Sequence, residues 1–181
     1  PITDLARRAG FFPCFEEVLW EGQDVRTGGG GSPEVPCRDR LPRDDYALFQ
    51  LFSAATPSPV RSALGLSFDQ WQEARELHRR RCQELVTEDN GRIIGWLNLM
   101  TGPRVTQGEI MVHPNHPDLL PALMDRALTQ GGVHRWLVPH YQEVVGDWLS
   151  RRGFQQAAGY ATLIKTVTAR VLSPGMAPVE A

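Results

Sequence analysis

Residues 91–154 read GRIIGWLNLMTGPRVTQGEIMVHPNHPDLLPALMDRALTQGGVHRWLVPHYQEVVGDWLSRRGF. The apolar pattern changes period along this stretch. Arg92–Leu99 and Gly108–His113 read as strands, the second alternating Glu109, Met111 and His113 against Ile110 and Val112. Asp118–Gln130 then puts Leu120, Leu123, Met124, Ala127 and Leu128 on one helical face, and Gly131-Gly132 ends it. Val133–Val138 is a short apolar strand. Tyr141–Arg152 is a helix burying Tyr141, Val144, Val145, Trp148 and Leu149, closed by Gly153-Phe154. Strand, strand, helix, strand, helix is the signature of an α/β sheet.

Upstream, Asn90-Gly91 predicts a tight hairpin joining Gln83–Glu88 to Arg92–Leu99. Asp44 is placed to cap a helix with Leu48, Leu51, Phe52 and Ala55 on one stripe. Thr56-Pro57 breaks that helix, and Pro59 opens a short turn through Ala63. Ser67 with Gln70 is a capping-box pattern for a further helix carrying Phe68 and Trp71. A short strand is expected at Val35–Arg40, after the flexible composition TGGGGSP within Gly22–Pro36. At the other end comes Gln155–Val171, where Tyr160–Val171 is rich in Thr, Val and Ile and predicts a long strand. Ser173–Ala181 reads as a disordered tail.

The opening repeats the close of the central stretch. Leu5-Ala6-Arg7-Arg8-Ala9-Gly10-Phe11 resembles Leu149-Ser150-Arg151-Arg152-Gly153-Phe154, and a strand follows each. Phe11–Trp20 is the first of these strands, and Pro13 pushes it toward a sheet edge. Such an edge suits either a homodimer contact or cover for the chain's own sheet. The expected organisation is a helix–strand unit at 1–24, read as the end of a preceding related domain, a Gly-rich linker at 25–34, one α/β domain at 35–172 and a tail at 173–181. The start at Pro1, without methionine, fits a piece of a longer protein.

With 41% hydrophobic and 22% charged residues the chain has the makings of a packed core. A net charge of −2 gives no electrostatic case for nucleic acid or an anionic membrane, and no apolar run is long enough to span a bilayer. Three widely spaced cysteines, Cys14, Cys37 and Cys82, suit free thiols in a reducing cytoplasm.

From about Val35 to Val171 the order is two helices, a hairpin, a strand, a helix, a strand, a Gly-Phe-ended helix and a final strand. This order resembles the GCN5-related N-acetyltransferase (GNAT) family. The resemblance implies a mixed, mostly antiparallel sheet with helices on both faces. It implies acetyl-CoA as cofactor, in a cleft between Gly108–His113 and Val133–Val138, with the pantetheine on the backbone of Ile110, Met111 and Val112. It implies transfer of an acyl group to a small-molecule or peptide amine. The family's diphosphate sits on the amides of a Gln/Arg-x-x-Gly-x-Gly/Ala loop opening the next helix. Here that stretch is His113-Pro114-Asn115-His116-Pro117-Asp118-Leu119-Leu120-Pro121. It has no glycine, prolines replace amide donors, and Asn115 and His116 are the candidate substitutes. On the last helix, alignment on Gly153-Phe154 puts Leu149 where the family often carries a proton-donating tyrosine. Tyr141 and Tyr160 read as core or strand aromatics.

Glu109 is the candidate general base, with His113 as a second. His113-x-x-His116 lacks the further ligands of a metal site. Arg79-Arg80-Arg81 reads as a solvated helix end. The alternatives to a working acyltransferase are a catalytically inactive ligand-binding or interaction domain of the same fold, and a structural half of a tandem acyltransferase.

Overall fold

The computed structural model describes residues 2–25, 35–76, 82–129 and 131–165. The elements are, in order, α1 (Ile2–Arg8), β1 (Phe12–Gln23), β2 (Arg38–Asp39), α2 (Asp45–Ala55), α3 (Ser58–Leu64), α4 (Phe68–Glu76), β3 (Cys82–Asp89), β4 (Arg92–Thr101), β5 (Val105–Val112), α5 (Leu119–Ala127), β6 (Val133–Pro139), α6 (Glu143–Arg151) and β7 (Gln155–Ile164). The Gly-rich stretch, the Arg79–Arg81 run and everything after Lys165 lie outside the described residues.

All seven strands join one sheet, in the order β2-β3-β4-β5-β6-β1-β7. Every neighbouring pair is antiparallel except β5 with β6. Alternation sorts the side chains into two layers. Leu97, Ile110, Trp136, Val138 and Trp20 face α5 and α6, and pack with Leu120, Leu123, Met124, Val145, Leu149 and Phe154. Val86, Ile93, Trp96 and Met111 face the opposite way, where Leu48 and Leu51 of α2 and Trp71 of α4 cover them. Helices therefore lie on both faces of a mixed, mostly antiparallel sheet.

Local signals account for the elements. Asn90 and Gly91 both hold positive φ, 48° and 75°, as a two-residue hairpin turn requires. Ser67 and Gln70 form the reciprocal capping box: the Ser67 N–H donates to Gln70 Oε1 at 3.0 Å, and the Gln70 N–H to Ser67 Oγ at 3.3 Å. Asp44 precedes α2 as expected but makes no side-chain cap bond there. Its carboxylate instead takes the Leu41 N–H at 2.7 Å and pairs with Arg38.

Three expectations change. β5 begins at Val105, three residues early. α6 begins at Glu143, because Pro139–Gln142 forms a turn in which the Gln142 N–H donates to the Pro139 carbonyl. Tyr141 therefore precedes the helix, and Val144 is exposed. The third concerns β1, which is internal. It pairs with β6 through Glu17–Gln23 and with β7 through Phe12–Glu21. Pro13 falls where β7 is its only strand neighbour and where the β7 register shifts, so its missing N–H breaks no β6 bond.

Candidate functional site: the cleft between β5 and β6

β5 and β6 run parallel and pair from Val105↔Val133 to Gly108↔Trp136. Beyond that point β6 continues to Pro139 on β1, and β5 continues to Val112 on β4, but the two no longer pair with each other. The side of Glu109–Val112 that faced β6 has no strand partner among the described residues. Trp136, nearly fully buried, closes the apex.

Above the apex lies a cavity of about 290 Å³. One wall is Val112, His113, Pro114, Pro117 and Leu120, and the other is Tyr141, Gln142, Glu143, Val144 and Val145, with Ala55 at the end of α2. This is the low end of the range for small-ligand sites, narrow and mainly apolar. Tyr141 supplies a polar handle. Its ring meets Phe15 edge-on at 5.6 Å and its hydroxyl bonds to that of Thr56. Burial pushes the phenol pKa up, and the Thr56 bond partly offsets this.

The overall fold recurs in solved structures. A functionally unknown conserved protein from Staphylococcus epidermidis superposes with a TM-score of 0.62 at 11% identity, over 92% of this chain and 67% of that one. A GCN5-related N-acetyltransferase from Anabaena variabilis gives 0.60 at 12% identity, over 89% and 42%. A GCN5-related N-acetyltransferase from Kribbella flavida gives 0.55 at 13%, over 89% and 39%. The chain has the GCN5-related N-acetyltransferase fold. At these identities the likeness is one of fold, and the chain spans less than half the length of the two named acetyltransferases. No protein-family model matches the sequence, and no curated protein matches it.

In an acetyltransferase fold the loop after β5 is where a diphosphate would meet free amides, so each N–H matters. Of the nine residues His113–Pro121, three are prolines. The His113 N–H donates to Ile94 O at 2.8 Å, and the Asn115 N–H to His113 Nδ1 at 3.2 Å. The His116 N–H donates to His113 O at 2.8 Å, Leu119 to His116 O at 3.1 Å, and Leu120 to Pro117 O at 3.2 Å. Asp118 keeps the one N–H of the stretch that no described residue accepts, and it brings a carboxylate to the helix start. The pantetheine part of coenzyme A fits the splayed cleft; its diphosphate does not fit this loop.

The expected site residues do not all meet at one place. Val112 and His113 line the cavity, whereas Ile110 is buried in the core beneath it and Met111 packs on the α2/α4 side. Asn115 and His116 face a wider groove against α2, which His113 also lines, with Tyr46, Phe49 and Arg92. The His113 and His116 rings meet edge-on at 5.7 Å. Glu109 is exposed on the opposite sheet face, directly across from Asn98, whose Nδ2 donates to Glu109 Oε2 at 3.4 Å. It lines two cavities there, one of about 180 Å³ with Trp71, Arg75 and Trp96, and one of about 340 Å³ with Leu137 and Tyr160. Glu109 and His113 thus line different cavities. Leu149 is fully buried core. Tyr141 is the cavity residue that periodicity hid. The available signal was its place, two residues after the proline that ends β6.

Proposed function

We propose that this chain is an N-acyltransferase domain that takes an acyl thioester of the acetyl-CoA type in the β5–β6 cleft and passes the acyl group to an amine. The observation that carries the reading is the loss of β5–β6 pairing beyond Gly108↔Trp136, over a narrow apolar cavity. Backbone amides and carbonyls left free along Glu109–Val112 suit an extended chain with amides of its own, which adds to β5 as another strand would. The thioester enters from the α5/α6 face, and the amine from the face that bears Glu109.

The amine nitrogen attacks the thioester carbonyl carbon. The C–N bond forms, the C–S bond breaks, Glu109 accepts the proton lost from nitrogen, and the Tyr141 hydroxyl gives one to the departing sulfur. Burial keeps the Tyr141 proton in place for that step. The test is thiol release from acetyl-CoA against a panel of small and peptide amines. Glu109→Gln is expected to cut turnover at least a hundredfold with donor binding unchanged. No release with any amine, from folded protein, would overturn the reading.

A second reading, a structural half of a tandem acyltransferase, is favoured by one observation. The two ends, Arg7-Arg8-Ala9-Gly10-Phe11 and Arg151-Arg152-Gly153-Phe154, share one cap: φ is 84° at Gly10 and 86° at Gly153. The Phe11 N–H bonds to Ala6 O and the Phe154 N–H to Leu149 O, at 3.0 and 3.1 Å. The strands that follow, β1 and β7, pair with each other. Under this reading α1 and β1 close a preceding domain of the same fold. The coding sequence upstream of Pro1 tests it, and absence of such a domain there would overturn it.

A further inference from the structure

The cleft and the loop beside it disagree about the donor. The cleft keeps what an extended pantetheine arm needs: unpaired backbone along Glu109–Val112 and narrow apolar walls. The loop has lost what a diphosphate needs. Pro114, Pro117 and Pro121 carry no N–H, five of the six other amides in His113–Pro121 are already bonded, and the remaining one belongs to Asp118. The acidic side chains of Asp118, before α5, and Glu143, in the first turn of α6, add negative charge to the two helix starts beside the cavity. At about 290 Å³ the cavity suits a slender chain.

We infer that this site recognises its donor as a pantetheine thioester and not as a nucleotide, so that it takes the arm without regard to what the arm's phosphate is joined to. The inference rests on the acyltransferase reading above. Coenzyme A thioesters, free pantetheine thioesters and a 4′-phosphopantetheine arm on a carrier protein share this chemistry.

Calorimetric titration of the whole chain with coenzyme A, pantetheine and adenosine 3′,5′-bisphosphate tests it. Affinities for coenzyme A and pantetheine are expected to agree within about threefold, with no competition from the bisphosphate. A working diphosphate cradle contributes several charge-assisted hydrogen bonds, each worth about tenfold or more. Coenzyme A binding more than about a hundredfold tighter than pantetheine, or displaced by the bisphosphate, would overturn the inference and leave the acyltransferase reading standing. Binding of neither coenzyme A nor pantetheine, by folded protein, would overturn both.

Ala55→Trp, placed to fill the cavity, is expected to weaken both ligands equally and by at least about tenfold. A loss confined to pantetheine, or no loss for either, would overturn the inference. Acetyl transfer from acetyl-pantetheine and from an acetylated carrier protein, each compared with acetyl-CoA, separates the sources. Transfer from acetyl-pantetheine supports a free thioester, and transfer from the carrier supports a tethered arm. Transfer from acetyl-CoA alone would overturn the inference.

Discussion

Gly108 and Trp136 stand opposite each other at the last paired position of β5 and β6, and the indole lies where a side chain on residue 108 would have to go. A Cβ there would come within 2.5 Å of the Trp136 ring. The indole covers the glycine and fills the angle where the strands part, so the shape of the cleft depends on the pair. Gly108→Ala forces the ring, and with it the apex, to shift. The expected cost is about 1–3 kcal/mol, read from the midpoint of urea unfolding. Pairing it with Trp136→Leu should recover part of that loss. Additive costs would show that the two residues do not share the space.

Arg75 lies between the Trp71 and Trp96 rings, with its guanidinium carbon 4.8 and 4.9 Å from their centroids. It donates to Glu84, which also accepts Trp96 Nε1–H at 3.0 Å. Burial lowers the Arg75 pKa and Glu84 works against that shift. Both side chains are largely shielded from solvent, so removing Glu84 takes the paired carboxylate from Arg75 and a second one, 3.7 Å away, from the buried Arg40. Glu84→Ala should destabilise by about 3 kcal/mol, and Arg75→Met/Glu84→Ala by less than Glu84→Ala alone. A double variant no more stable than the single one would show that the pair does not act as a unit.

The hydrogen bond from Arg38 holds the Asp44 pKa below the usual carboxylate value, more than offsetting burial, and the Leu41 N–H adds to the shift. A carboxyl more acidic folded than unfolded stabilises the fold above its unfolded pKa, near 3.9. That contribution fades as pH falls through and below that value. The melting temperature of the native chain should therefore drop more steeply from pH 5 to pH 3 than that of Asp44→Asn. Parallel curves would remove Asp44 from the account.

Tyr141 works in the alkaline direction. Its phenol is held protonated by burial, so the unfolded chain, with an ordinary value near 10, gives up the proton first. Stability should fall as pH climbs above about 10. Absorbance at 295 nm during alkaline titration should lose its last component in Tyr141→Phe. An unchanged curve would place Tyr141 in water and outside the cavity wall.

Much of the fold was legible because its signals are local. Asn90-Gly91 demands positive φ at two adjacent positions, Ser67 and Gln70 cap each other across one turn, and the stripe from Leu120 to Leu128 buries one helical face. Two features were not. Periodicity says that Phe12–Gln23 is a strand but not which strands flank it. That depends on β6 and β7, more than a hundred residues away. Tyr141 sits between a strand and a helix, in a turn without a period, and its cavity appears only when the β5–α5 loop is brought against it. The glycine-free loop was visible in sequence. That its amides are spent depends on the turns they close.

Leu19 tests the internal place of β1. It is registered with Leu137 of β6 on one side and Ala158 of β7 on the other. Proline there removes a ladder N–H and forces its ring against a neighbouring strand, with no edge to absorb it. Pro13, near the other end of the same strand, is tolerated because β6 does not reach it. Leu19→Pro should therefore abolish cooperative unfolding and soluble expression, while Pro13→Ala should change stability by less than about 1 kcal/mol. A folded Leu19→Pro variant would mean that β1 is an edge strand after all, and that β6 and β7 meet by another route.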